Sequence, residues 1–217
     1  MSKNNLLIYS VVSVGISLLL ISMIRKMNGT NKDKVVESDS FEKIKDKEFI
    51  VIKPSNKTNF DVLFVFGGTS YATPDWMLKQ MPQYILKSYL VILAPYTTSF
   101  NNTNKQLKDY LSKNNFKQKS LSVIGFSAGG YNAQSGYSKD LRYFGLIDPS
   151  TRSEYTSIKF GKNAHMVYNN SNWGAYPNIK KLQPIIANNV KSGGGHVEEV
   201  KLNHADIPKY FFEKHFK

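Results

Sequence analysis

The chain has 217 residues, 41% of them apolar, enough for one domain with a true core and tight for two. It contains no cysteine, which excludes disulfides, thiolate metal sites and a cysteine nucleophile, and its four histidines, at 165, 196, 204 and 215, show no metal-ligand spacing, so no metal and no cofactor are expected. A formal charge of +13 would attract an anionic surface, but the lysines are dispersed and no nucleic-acid motif is present, so a solvated, lysine-rich surface without a nucleic-acid partner is expected.

Residues 6–24, LLIYSVVSVGISLLLISMI, are nineteen consecutive residues without a charge. At ~1.5 Å per residue they would cross a ~30 Å hydrocarbon core. The run ends in Met23, Ile24, Arg25 and Lys26 rather than in a small-x-small cleavage site, which favours an uncleaved single-pass anchor over residues 1–27. Lys3 precedes the span and Arg25, Lys26, Lys32 and Lys34 follow it, so the positive-inside rule leans towards a cytoplasmic-facing C-terminal domain. Residues 28–48 are polar and charge-mixed and read as a linker, with the folded domain over 49–217.

Inside that domain, Phe49 to Ile52 is a short strand, and FDVLFVF over residues 60–66 is a continuous apolar run suited to a strand covered on both faces. Gly67, Gly68 and Thr69 follow, then Thr73 and Pro74, an N-cap and first position for a helix over 74–87. Leu90 to Leu93 is a further strand, residues 103–115 carry Leu107, Tyr110 and Leu111 at helical spacing, and Leu121 to Ile124 is a strand that runs into Gly125-Phe126-Ser127-Ala128-Gly129 and a helix. Tyr143 to Ile147 ends in Asp148-Pro149, and Ala164 to Tyr168 ends in Asn169, Asn170, Ser171, Asn172 and Trp173. A helix interrupted by Pro184 over 176–190, a strand over 197–202 and an amphipathic close over 207–216 complete the chain. Strands alternating with helical segments imply an α/β domain with a mostly parallel sheet and helices on both faces, whose site gathers at the carboxyl ends of the strands.

Gly68, Ser127, Asp148 and His204 all stand just past an apolar run. A serine hydroxyl needs a base within reach, and the base needs a third group to fix its tautomer. Ser127, flanked by Gly125 and Gly129 where a Cβ would collide as a strand reverses into a helix, is the candidate nucleophile. His204, after the last strand, is the candidate base. His196 enters a strand from a glycine loop, His165 begins a strand at the opposite edge, and His215 lies in the terminal helix. Asp148 fits the orienting acid, with Asp206 as second choice beside His204. The N–H groups of Gly68 and Ala128 are the candidate oxyanion donors, and Tyr71, Tyr131 and Trp173 are candidates to line the site.

Over residues 49–217 the chain resembles the α/β-hydrolase superfamily: Gly125 to Gly129 matches its nucleophile elbow, Phe66-Gly67-Gly68 its oxyanion turn, and His204 its late histidine. Two departures stand out. Phe66 replaces the usual histidine of the turn, and the usual acid position carries Asn169, Asn170, Ser171 and Asn172; some lipase-like members place the acid one strand earlier, where Asp148 stands. The stretch from Asp148 to Ala164 is too short for a large lid, so the resemblance is to small, nearly capless members. It implies a serine hydrolase of the esterase or lipase type that cleaves a small-molecule or lipid ester, or in the same chemistry an amidase, peptidase or acyltransferase. The alternatives are a catalytically inactive binding or scaffold module at a membrane, and a basic membrane-surface binder.

Overall fold

The computed structural model describes residues 36–38, 41–46 and 48–216. The expected membrane span, residues 6–24, lies outside them; among the described residues no helix is long and apolar enough to cross a membrane. The strands are β1 (Val36–Ser38), β2 (Phe41–Asp46), β3 (Phe49–Pro54), β4 (Asn59–Phe66), β5 (Leu90–Ala94), β6 (Lys117–Phe126), β7 (Tyr143–Ile147), β8 (Ala164–Tyr168) and β9 (His196–Glu199). Among the described residues they form one sheet of nine strands in the order β1-β2-β3-β5-β4-β6-β7-β8-β9. The pairings from β1 to β5 through β2 and β3 are antiparallel, and those from β5 through to β9 are parallel.

The central parallel strands β4, β5, β7 and β8, with the second half of β6, are buried on both faces, as their apolar runs require. In β4, Phe60, Val62, Phe64 and Phe66 enter one core while Leu63 and Val65 enter the other. The first core is closed by Leu107 and Leu111 of α3 (Phe100–Lys113), Ala133 of α4 (Gly129–Ser135), and Ile186 and Val190 of α5 (Pro177–Ser192). The second is closed by Met77 of α1 (Pro74–Lys79), Ile85 of α2 (Gln83–Ser88), and Ile207, Phe211 and Phe212 of α6 (Ile207–Lys214). Helices therefore cover both faces. Phe60, Phe64, Phe66, Phe126, Phe144, Phe211 and Phe212 are fully buried, each contributing about 1.5–3 kcal/mol.

Several elements differ from the sequence expectation for local reasons. The helix expected over 74–87 is two helices, because Pro82, the N-cap of the second, has no N–H to continue the first and disfavours a helical residue before it. Pro184, expected to weaken the helix over 176–190, sits inside an unbroken α5. The sheet also reaches ahead of Phe49: β2, in the stretch read as linker, pairs along its length with β3. His165 is not at the opposite edge from the other late histidines. It lies in β8, in register with His196 of the edge strand β9.

Candidate active site

Ser127 follows β6 with φ of 52°, a left-handed conformation that costs a residue with a Cβ of order 1–3 kcal/mol and persists only where its surroundings hold it. The holding groups are main-chain. The Ser127 N–H donates to the Ile147 carbonyl at 3.1 Å, and the Ser127 carbonyl accepts from Gly130 N at 2.9 Å and Ser150 N at 2.8 Å. The turn closes because its flanks lack side chains. A Cβ on Gly125 would lie 2.5 Å from the Gly129 carbonyl oxygen, and one on Gly129 would lie 2.3 Å from that of Gly67. Gly130, which sequence reasoning passed over, is the third such position, where a Cβ would lie 2.7 Å from Pro149 Cβ.

Asp148 leaves β7 in a similar conformation, with φ of 38°, and its N–H donates to the Val167 carbonyl at 2.7 Å. Its carboxylate is fully buried, a placement that costs several kcal/mol unless its lone pairs are satisfied. They are satisfied. Oδ1 accepts from Asn169 N at 3.1 Å, Trp173 Nε1 at 3.0 Å and Gln183 Nε2 at 3.2 Å. Oδ2 accepts from Asn172 Nδ2 at 2.9 Å and meets His204 Nδ1 at 2.6 Å. Burial pushes the carboxyl up, but the hydrogen bonds from His204 and Asn172, the His204 charge and the Trp173 bond together outweigh it and hold it below the usual range. An ionised carboxylate only accepts, so His204 Nδ1 carries a proton towards Asp148, and in the neutral ring Nε2 is the nitrogen that keeps its lone pair.

His204 sits in the loop between β9 and α6, with its side chain 26% exposed. Its ring lies 4.6 Å from that of Phe126, the residue before Ser127, and meets the edge of Trp173 at 5.2 Å. Trp76 stacks on the same Phe126 ring at 5.6 Å. Asn169 ties this loop to the acid, since its backbone N–H serves Asp148 while its side-chain amide donates to the Leu202 carbonyl at 2.8 Å. Asp206 is not part of this contact; it accepts from Asn203 Nδ2 at 3.3 Å.

Gly68 abuts Ser127: a Cβ there would lie 2.8 Å from Ser127 Cβ and 3.2 Å from its Oγ. Its N–H, however, donates to the Ala72 carbonyl at 3.1 Å, within a turn that holds Ser70 at φ of 57°. Ala128 is the N-cap of α4, directly after Ser127. Of the three aromatic candidates, Trp173 is buried and bonded to Asp148, whereas Tyr71 is exposed and packs edge-on against Trp76. Burial, then the charges of Asp148 and Asp206, push the Tyr71 phenol up, so its hydroxyl shares the field of the site. Tyr131 lies apart, under the Arg152 guanidinium at 4.6 Å, in a groove of about 740 Å³ that neither Ser127 nor His204 lines.

Asn169, Asn172, Trp173 and Gln183 were legible in the sequence only as a polar turn, an aromatic and a helix position. Their signal is their place after the strand that neighbours Asp148.

No protein-family model matches the sequence, and no curated protein does. Solved structures do match in shape. An esterase of Pyrococcus furiosus superposes with a TM-score of 0.52 at 16% identity, over 85% of this chain and 87% of that one. The siderophore hydrolase EstB from Aspergillus nidulans gives 0.50 at 8% identity, over 85% and 95%, and Est1E from Butyrivibrio proteoclasticus gives 0.50 at 10% identity, over 84% and 97%. At such identities the likeness is one of fold.

Proposed function

We propose that this chain, which has the α/β-hydrolase fold, is a serine hydrolase that cleaves carboxylic esters, tethered to a membrane by residues 6–24 with its domain on the cytoplasmic side. The observation that carries the reading is the 2.6 Å contact between Asp148 and His204 Nδ1, which leaves Nε2 as an available base over the elbow residue Phe126. Ser127 Oγ attacks the ester carbonyl carbon and gives its proton to His204 Nε2. The C–O bond to the alcohol then breaks as Nε2 returns the proton to the leaving oxygen. Water, deprotonated by the same nitrogen, attacks the acyl-enzyme and releases the acid and free Ser127. Asp148 stays ionised throughout and stabilises the imidazolium. Charge on the carbonyl oxygen falls to the Ala128 N–H and, once its bond to Ala72 opens, to the Gly68 N–H.

The substrate class is a small-molecule or lipid ester. Between Asp148 and β8 only a short 3₁₀ turn, Ser153–Ser157, stands where larger relatives of this fold carry a lid, and the proposed tether would hold the site near lipid. Labelling by a fluorophosphonate tests the reading. The parent should be labelled and turn over p-nitrophenyl esters, and Ser127→Ala should do neither; equal labelling of both would sink the assignment.

A second reading, a non-catalytic membrane module, draws on the Gly68 N–H, whose engagement with Ala72 leaves one free donor where two are wanted. It predicts a parent that is neither labelled nor active.

A further inference from the structure

The four histidines have no metal-ligand spacing along the chain, yet the fold gathers three of them on the edge of the sheet away from the nucleophile. His196 and Glu198 are two residues apart in β9 and so share a face of the strand. His215 comes from the C-cap of α6. The nearest ligand atoms of these three residues all lie within 4.8 Å of one another. Nε2 of His215, on a side chain only 8% exposed, is shut off from solvent and faces Glu198 Oε2 at 2.7 Å. The pair is in ion-pair contact, and a cation that took both atoms as ligands would move them slightly apart.

We propose that His196, Glu198 and His215 form a binding site for a divalent transition-metal ion, with zinc the ion that two imidazoles and one carboxylate suit best. A water would complete the tetrahedron, which the exposure of His196 permits. The competitor for the carboxylate is already in place. Lys214 Nζ donates to both oxygens of Glu198, at 2.9 and 3.3 Å, and Tyr210 donates to Oε1 at 2.7 Å. Lys214 is half exposed and also donates to the Tyr210 hydroxyl, so the ammonium and the metal ion are alternative occupants of one carboxylate. His165 flanks the cluster, its ring 5.9 Å from that of His196 and its Nδ1 buried without a hydrogen-bond partner. A bound ion would clasp β9 to α6, the two elements that bracket the loop carrying His204.

The test is titration of the untagged full chain with Zn²⁺ by calorimetry, with Co²⁺ absorption as a second readout and Mg²⁺ and Ca²⁺ as controls. The expected result is one saturable Zn²⁺ site, a tetrahedral Co²⁺ spectrum, no response to Mg²⁺ or Ca²⁺, and a higher melting temperature with Zn²⁺. His196→Ala, on an exposed residue, and Glu198→Gln should each weaken binding by at least about tenfold. Lys214→Gln should tighten it. Ser127→Ala should leave it unchanged, which separates this proposal from the hydrolase reading. Absence of saturable binding, binding indifferent to His196→Ala and Glu198→Gln, or weaker binding by Lys214→Gln would overturn it.

Discussion

Asp148 Oδ2 and His204 Nδ1, 56 positions apart in the chain, stand 2.6 Å from each other, and the acid is fully buried while the imidazole keeps an open side. In Asp148→Asn the residue at 148 is neutral and can present an N–H to the ring, which favours the tautomer with its proton on Nε2. We expect kcat to fall roughly 10³–10⁴-fold with KM little changed, measured on p-nitrophenyl esters. An active parent and an unaffected variant would remove Asp148 from the chemistry.

Asn169 makes a different prediction, because it touches the acid with its backbone and the histidine loop with its side chain. Asn169→Ala keeps the bond to Asp148 and loses the one to Leu202. Turnover should fall up to about 10²-fold through misplacement of the imidazole, while fluorophosphonate labelling slows rather than stops.

Glycine substitutions separate chemistry from folding. A Cβ at 68 meets Ser127 itself, so Gly68→Ala should remove most activity with a modest change in melting temperature. A Cβ at 129 meets the backbone oxygens of Gly67 and Phe66 at 2.3 and 2.4 Å, and Gly129→Ala should cost about 3 kcal/mol or more in urea unfolding.

The acid stability of the domain should carry the mark of Asp148. Its folded carboxyl lies below the ordinary value of 3.8, so the folded chain binds fewer protons there than the unfolded one. That contribution is complete above the unfolded value and is lost as pH falls through the folded one. Urea unfolding followed from about pH 6 down to about pH 3 should therefore show a shallower loss for Asp148→Asn than for the parent.

Much of the proposed site is legible in the chain because its principal residues follow apolar runs, and strand ends are visible in sequence. Ser127 carries its own glycine signature, and Asp148 ends a buried strand. The cradle of the acid could not be read so. Asn169 and Asn172 stand where a carboxylate is usual, and the sequence does not say that the pair would point back at the carboxylate one strand earlier. Gln183 is hidden for another reason: it faces inward from a helix whose continuity the adjacent Pro184 put in question. β2 escaped because Phe41 and Ile44 are three residues apart and serve opposite faces, which leaves no alternation of period two.

Ser127 donates to Ile147 and accepts from Ser150, and these two bonds bear on how such a site switches on. Ser127 and Asp148 directly follow neighbouring paired strands, so the gap between them is as stiff as the sheet. The imidazole arrives on a separate arm. Readiness then reduces to a single coordinate, the docking of residues 200–206. Amide exchange in that arm should track activity across variants, while exchange in β6 and β7 stays constant.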